Sequence, residues 1–153
     1  MNEINLLNWK ASEIEITYRN KVRPSERLKI SSSKDCFSLL LDVWSGKMEY
    51  IEEFYVLLLN KSNKVLGVSK ISEGGISGTL VDPKRIFQVA LKANASSIIL
   101  GHNHPSGNIQ PSDADKKITK KIKDAGTLLD IDVLDHLIVT AENYYSFADS
   151  GDL

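Results

Sequence analysis

Residues 97–115 read Ser-Ile-Ile-Leu-Gly-His-Asn-His-Pro-Ser-Gly-Asn-Ile-Gln-Pro-Ser-Asp-Ala-Asp, and this stretch is the most informative part of the chain. The apolar run 97–100 has the length of a strand, and residues 101–107 have the composition of a loop. Ser112 then begins a helix whose apolar residues recur at helical spacing as far as Leu129. The stretch therefore predicts a strand, a loop and a helix in direct succession.

The flanking sequence supplies further elements of both kinds. Charged and apolar residues alternate over 13–19, which is typical of a strand with one covered face. Asp82-Pro83 is a helix start, with a capping carboxylate before a proline. The predicted elements are a strand at 13–19, a helix at about 33–45, strands at 54–59 and 65–71, a helix from 82 to about 94, a strand at 97–100, a helix from 112, and strands at 132–139 and 144–147. This order predicts a single-domain α/β sandwich with a mixed β-sheet flanked by helices.

Length and composition exclude several classes of protein. The chain has 153 residues, 42% apolar and 25% charged, which is typical of one globular domain. Its formal net charge of −1 gives no support for nucleic-acid binding by overall basicity. A single cysteine, Cys36, excludes an intrachain disulfide and the paired-cysteine zinc site of nucleobase deaminases. No apolar run reaches ~18 residues and the N-terminus lacks a signal-peptide pattern, so we expect a cytoplasmic protein without membrane contact.

Two histidines and an aspartate in the informative stretch predict a metal site. Side chains at i and i+2 of an extended chain point to the same side, so His102 and His104 can converge on one ion. Asp115, in the first turn of the next helix, offers a carboxylate. Two histidines, one carboxylate and an open position are typical of a catalytic zinc site. Such a site also needs a general base and an oxyanion donor, for which the candidates are the Glu52-Glu53 pair and the Ser112 hydroxyl.

Each of these residues also has a purely structural interpretation. Ser112 and Asp115 have the spacing of a capping box, which only starts a helix. His136, inside an apolar strand, is either a hydrogen-bonded core residue or a group that orients a metal ligand. Cys36 is expected to be a small apolar core residue rather than a nucleophile.

The wider pattern resembles a known family. The spacing His102-x-His104-x7-Ser112-x2-Asp115 matches the JAMM metalloprotease motif of the JAB/MPN domain families. The sequences His-Asn-His-Pro-Ser-Gly at 102–107, Pro-Ser-x-x-Asp at 111–115 and Leu-Asp-His-Leu-Ile at 134–138 are similar to those of the RadC family. The resemblance implies a cytidine-deaminase-like JAB/MPN fold over residues 31–153. Longer members carry a helix-hairpin-helix segment before this domain. The chain resembles the short version, with residues 1–30 as an N-terminal extension that contains one strand.

The resemblance also implies roles for individual residues. His102, His104 and Asp115 would hold zinc with a water as the fourth ligand, and Ser112 would stabilise the oxyanion. The RadC pattern maps the general base to Glu52, which we favour, whereas the broader JAMM families favour Glu53. Neighbouring strand residues face opposite sides, so only one of the two can reach the metal. Asn103 departs from the Ser or Thr found between the histidines of JAMM isopeptidases.

Together these features predict a zinc-dependent metallohydrolase that cleaves an amide bond in a peptide or protein, through a zinc-bound water and a glutamate base. Two alternatives stay open. One is a non-catalytic JAB/MPN binding module. The other is a nucleic-acid-processing protein associated with DNA repair, in which the lysines of the helix after the motif would contact phosphates; otherwise they form a solvated face. These are Lys116, Lys117, Lys120, Lys121 and Lys123.

Overall fold

The computed structural model describes residues 3–6, 9–12, 14–74 and 80–153. Two short strands, β1 (Glu3–Leu6) and β2 (Trp9–Ser12), form an antiparallel pair. A 3-10 turn at Pro24–Glu26 follows. The remaining elements are α1 (Ser33–Val43), β3 (Glu53–Leu59), β4 (Val65–Glu73), α2 (Pro83–Lys92), β5 (Ser97–Asn103), α3 (Asp113–Leu128), β6 (Asp132–Val139) and β7 (Tyr144–Ser146). Among the described residues, no helix is long and apolar enough to cross a membrane.

The main sheet has five strands in the order β4-β3-β5-β6-β7. Only β5 and β6 run parallel; the other neighbouring pairs are antiparallel. Parallel neighbours need a long crossover, and α3 supplies it between β5 and β6. The mixed sheet flanked by helices confirms the predicted α/β class.

Both faces of the sheet are covered, which explains why β3 is buried along its whole length. Phe54, Val56 and Leu58 of β3 pack into a core beneath α2 and α3. The alternate residues Tyr55, Leu57 and Leu59 pack into a second core beneath α1. The result is three layers, with α1 on one side of the sheet and α2 and α3 on the other.

The helix starts follow from their caps. Ser32 begins α1 through a reciprocal capping box with Asp35, and Asp82 begins α2 by accepting the Lys84 N–H. Asn94, just after α2, has a φ of 53°, the left-handed conformation that ends many helices. These helix positions confirm the predictions.

Two predictions about strands were wrong. Residues 14–20 form no strand, although alternation over 13–19 predicted one. Ile14 is 82% exposed and Ile16 78%, so no surface covers the apolar side on which that interpretation depended. The N-terminal strands of this chain are instead β1 and β2, and residue 13 lies outside the described residues.

Further along, β5 continues to Asn103, whereas a loop was predicted from Gly101. Pairing with β3 on one side and β6 on the other overrides the loop-like composition.

Candidate metal centre

The two histidines of the motif lie at the carboxyl end of β5. His102 is 2% exposed and pairs with Phe54 of β3 and Ile138 of β6, so the sheet fixes its backbone on both sides. His104 follows the strand directly. The Nε2 atoms of the two rings are 3.0 Å apart. The sheet therefore directs two imidazole nitrogens to one point.

Asp115 reaches the same point from the first turn of α3. Its Oδ1 is 3.2 Å from His102 Nε2, and its Oδ2 is 3.3 Å from His104 Nε2. Oδ2 also accepts the Ser112 backbone N–H at 2.8 Å, while Ser112 Oγ accepts the Asp115 N–H at 3.1 Å. The predicted capping box is thus present, and its carboxylate faces both histidines. The helix-start and ligand interpretations of Asp115 are compatible.

The donor set fits a small divalent cation. Ligands about 2.0–2.1 Å from a tetrahedral zinc ion lie about 3.3 Å from one another, close to the observed separations of 3.0, 3.2 and 3.3 Å. His104 Nδ1 is 2.5 Å from the Asn108 carbonyl, which can only accept, so Nδ1 carries the proton and Nε2 of the neutral ring has its lone pair free. Lone pairs converging at this distance repel unless a proton or a cation lies between them. His102, His104 and Asp115 could therefore hold a metal.

The charges of the cluster affect the pKa values of its members. Burial opposes ionisation of Asp115, but the hydrogen bonds that His102 and His104 donate to it when protonated at Nε2 outweigh burial and hold the Asp115 pKa well below its usual range. When His104 is protonated at Nε2 it donates to Asp115, and this hydrogen bond raises the pKa of His104, against the effect of burial. Asp115 is therefore ionised, which is the form in which a carboxylate binds a metal.

Behind His102 lies a chain of hydrogen bonds, which we call the histidine relay: His102, His136 and Thr119. His102 Nδ1 is 2.7 Å from His136 Nε2, and His136 Nδ1 is 2.6 Å from Thr119 Oγ1. Thr119 Oγ1 donates to the Asp115 carbonyl at 2.6 Å, so it accepts from His136. This bond in turn makes His136 an acceptor at Nε2 and His102 a donor at Nδ1. His102 Nε2 then has a free lone pair in the cluster.

His136 suits this role because it is neutral. The ring is fully buried, and burial lowers its pKa well below the ordinary value. Its contacts fit both interpretations of His136: it is a hydrogen-bonded core residue, and its ring orients His102, a candidate ligand. Thr119 was missed by the sequence analysis, because a threonine in a helix carries no recognisable signal.

The adjacent glutamates occupy different environments. Glu52, half-buried, joins His102, His104 and Asp115 in a four-residue cluster whose potential ligand atoms all lie within 4.8 Å of one another. Glu53 is fully buried outside that cluster, where its carboxylate accepts from Ser45 Oγ at 2.5 Å and from Tyr55 OH at 3.0 Å. Of the two base candidates, only Glu52 is brought to the histidines.

Ser112 lies beside the cluster as the N-cap of α3. Its Oγ accepts the Asp115 N–H, which leaves its own hydroxyl hydrogen available to donate. A cavity of about 640 Å³ opens next to His104. It is lined by Met48–Tyr50, by residues 104–107 and by residues 140–143 of the β6–β7 turn. The cavity gives a substrate room to approach the cluster.

Comparison with known proteins agrees with this geometry. The model of the RadC-like JAB domain matches residues 30–152. The chain belongs to the RadC-like JAB family. A UPF0758 protein of Flavobacterium johnsoniae is 49% identical over 139 residues, which cover 90% of this chain and 60% of that protein. A UPF0758 protein of Chlorobaculum parvum is 38% identical over 141 residues, covering 91% and 62%. The chain thus spans about 60% of the length of these curated relatives.

Proposed function

We propose that this RadC-like JAB domain is a zinc-dependent hydrolase that cleaves an amide bond in a peptide or protein. The observation that carries the proposal is the convergence of His102 Nε2, His104 Nε2 and the Asp115 carboxylate with Glu52 beside them. Two neutral imidazoles and one carboxylate suit zinc and leave coordination positions open.

Within this proposal, His102, His104 and Asp115 would hold the zinc ion, which would supply a Lewis acid that lowers the pKa of a water and polarises a carbonyl. Glu52 accepts the proton that the attacking water gives up and returns it to the leaving amine. The Ser112 hydroxyl, free to donate, stabilises the negative charge that develops on the carbonyl oxygen. The cavity beside His104 accommodates the substrate chain that flanks the scissile bond.

The histidine relay supports the same chemistry. It keeps the Nδ1 proton of His102 pointing away from the cluster, so that Nε2 stays available as a ligand. The Asn108 carbonyl likewise accepts the Nδ1 proton of His104, so that Nε2 of this ring also stays available as a ligand. Both histidines are thus held in the tautomer that metal binding requires.

Bound metal and hydrolysis can be tested together. Protein purified without added metal is analysed for zinc, for the wild type, Glu52→Gln and the double variant His102→Ala, His104→Ala. An equimolar pool of synthetic peptides is then incubated with each protein and read by mass spectrometry. We expect near one zinc per chain in the wild type and Glu52→Gln, none in the double variant, and cleavage by the wild type alone.

Glu26→Gln is the matched control, because Glu26 is an exposed carboxylate in the 3-10 turn. It should cleave as the wild type does. A wild type that stays metal-free after zinc is offered would overturn the hydrolase proposal, as would cleavage that survives in Glu52→Gln.

A further inference from the structure

Asn103, the residue between the two histidines, makes three hydrogen bonds through a fully buried side chain. Its Oδ1 accepts the Glu53 backbone N–H at 2.7 Å, and its Nδ2 donates to the Ile51 carbonyl at 2.9 Å and to the Met48 carbonyl at 2.6 Å. The Ile51 carbonyl and the Glu53 N–H belong to the two peptide groups on either side of Glu52. One side-chain amide thus holds the backbone on both sides of the candidate base.

We propose that Asn103 is a positioning residue that holds Glu52 at the metal cluster. This inference rests on the proposed function, in which Glu52 is the base. The backbone of Asn103 is part of β5, between His102 and His104. The side chain therefore ties Glu52 directly to the strand that carries two of the three ligands.

The segment that carries Glu52 needs such a tie. Residues 46–50 form turns, and regular pairing between β3 and β5 begins only at Phe54 with His102. Beyond that pair the backbones of β5 and β3 are no longer paired as neighbouring strands. The side-chain amide of Asn103 makes the hydrogen bonds to the backbone there instead. The Gly74 N–H also bonds to the Glu52 carbonyl at 2.8 Å, but it comes from the opposite neighbour, β4.

The chemistry of the contacts specifies an amide at position 103. Two carbonyls need two donors and one N–H needs an acceptor, and a planar carboxamide supplies all three at once. An aspartate would keep the acceptor and lose both donors. A serine has one hydroxyl and a shorter reach. Asn103 also fixes Met48, at the wall of the cavity beside His104, so it aligns the base and the substrate cavity together.

The first experiment tests whether Asn103 holds the backbone around Glu52. It needs no substrate and measures amide hydrogen exchange in Asn103→Ser. The Glu53 N–H loses its acceptor in this variant, so its exchange should accelerate by about tenfold or more while the amides of β6 and α3 keep their rates. Asn60→Ser is the matched control, because Asn60 bonds to the Ser62 and Lys64 N–H groups in the turn at the far end of β3. It should leave the Glu53 amide unchanged.

Bound zinc and the rate test the functional part. Asn103→Ser removes no ligand, so zinc content should stay near one per chain. With a peptide from the pool that the wild type cleaves, kcat should fall by about 10–100-fold with KM within about threefold. Glu52→Gln should cost about 10²–10⁴-fold in the wild type, and its cost in the Asn103→Ser background should be smaller by about the 10–100-fold that Asn103→Ser itself removes, because the base is already displaced there.

Equal costs of Glu52→Gln in the two backgrounds would overturn the proposal. So would an unchanged Glu53 amide, or a uniform acceleration of exchange at every site, which would mark a general loss of stability. If Asn103→Ser does not fold, Asn103→Asp replaces it, and the same non-additivity with Glu52→Gln is expected. A wild type that cleaves nothing would refute amide hydrolysis, and the exchange data would still decide whether Asn103 holds the Glu52 backbone.

Discussion

The substitutions Glu52→Gln and Glu53→Gln should separate activity from stability at two adjacent positions. Each changes a carboxylate to an amide of almost the same size. Glu53 is fully buried and accepts two hydroxyl hydrogen bonds, from Ser45 at 2.5 Å and from Tyr55 at 3.0 Å. Glu52 lies instead in the four-residue cluster. The change at Glu53 therefore removes buried hydrogen bonding, and the change at Glu52 removes the proposed base.

The magnitude for Glu53→Gln follows from its contacts. A hydrogen bond to a charged group contributes about 1.5–3 kcal/mol, and glutamine keeps an acceptor for only one of the two hydroxyls. Neutralising a buried carboxylate recovers part of its desolvation cost, so we expect a net loss near the value of one such bond, about 1.5–3 kcal/mol. For a domain of this size, that lowers Tm by about 3–12 °C. The Lys70 ammonium, 4.0 Å away and partly exposed, adds little.

Thermal unfolding and peptide cleavage provide the assay. Unfolding is followed by circular dichroism with a chelator present and again with zinc, and cleavage is measured on a peptide from the pool. Glu52→Gln should leave Tm within about 2 °C of the wild type and lower the rate by about 10²–10⁴-fold. A Glu53→Gln protein of unchanged Tm that has lost cleavage would refute the reasoning, because it would make the buried carboxylate the base.

Three further predictions concern the candidate metal ligands and the buried thiol. Thr119→Val ends the histidine relay without changing its volume much, and it should weaken zinc binding by about 10–100-fold in a chelator competition. Because Asp115 raises the pKa of His104, protons compete with the metal for this ring up to a higher pH than they do for an ordinary imidazole. The affinity for zinc should therefore rise from about pH 5.5 to above neutrality. A zinc affinity that does not change with pH would contradict this. Burial raises the pKa of Cys36 to about 12, so Ellman's reagent at pH 8 should react slowly with the native protein and rapidly in denaturant; rapid native labelling would contradict this.

Most elements could be predicted because their signals are local. Caps marked the starts of α2 and α3, and short apolar runs marked the strands of the main sheet. The errors occurred where strand formation depends on contacts with residues far away in the sequence. Alternation over 13–19 predicts a strand only if something covers its apolar side, and residues 101–103 join β5 because β3 and β6 flank them.

The same distinction applies to the site. The motif spacing brings His102, His104 and Asp115 together over a short stretch of chain. Only the resemblance to the RadC family favoured Glu52 over Glu53; the residues themselves could not separate the two, because the choice depends on where β3 begins. The contacts of His136 with His102, of Thr119 with His136 and of Asn103 with Glu53 join residues 34, 17 and 50 positions apart. Such pairs exist only once the sheet and α3 are assembled.

The double use of Asp115 affects how diverged relatives should be judged. Its carboxylate starts α3 as well as facing the histidines, so a descendant that abandons metal chemistry still has a structural reason to keep an aspartate there. Within the described part of the chain His104 shows no comparable second role: it follows β5, is half-buried, and its Nδ1 contacts a loop carbonyl. In a relative without metal chemistry, substitutions should therefore replace His104 before Asp115. In a family alignment, a retained aspartate at 115 would say little about activity, whereas a lost histidine at 104 would identify an inactive copy.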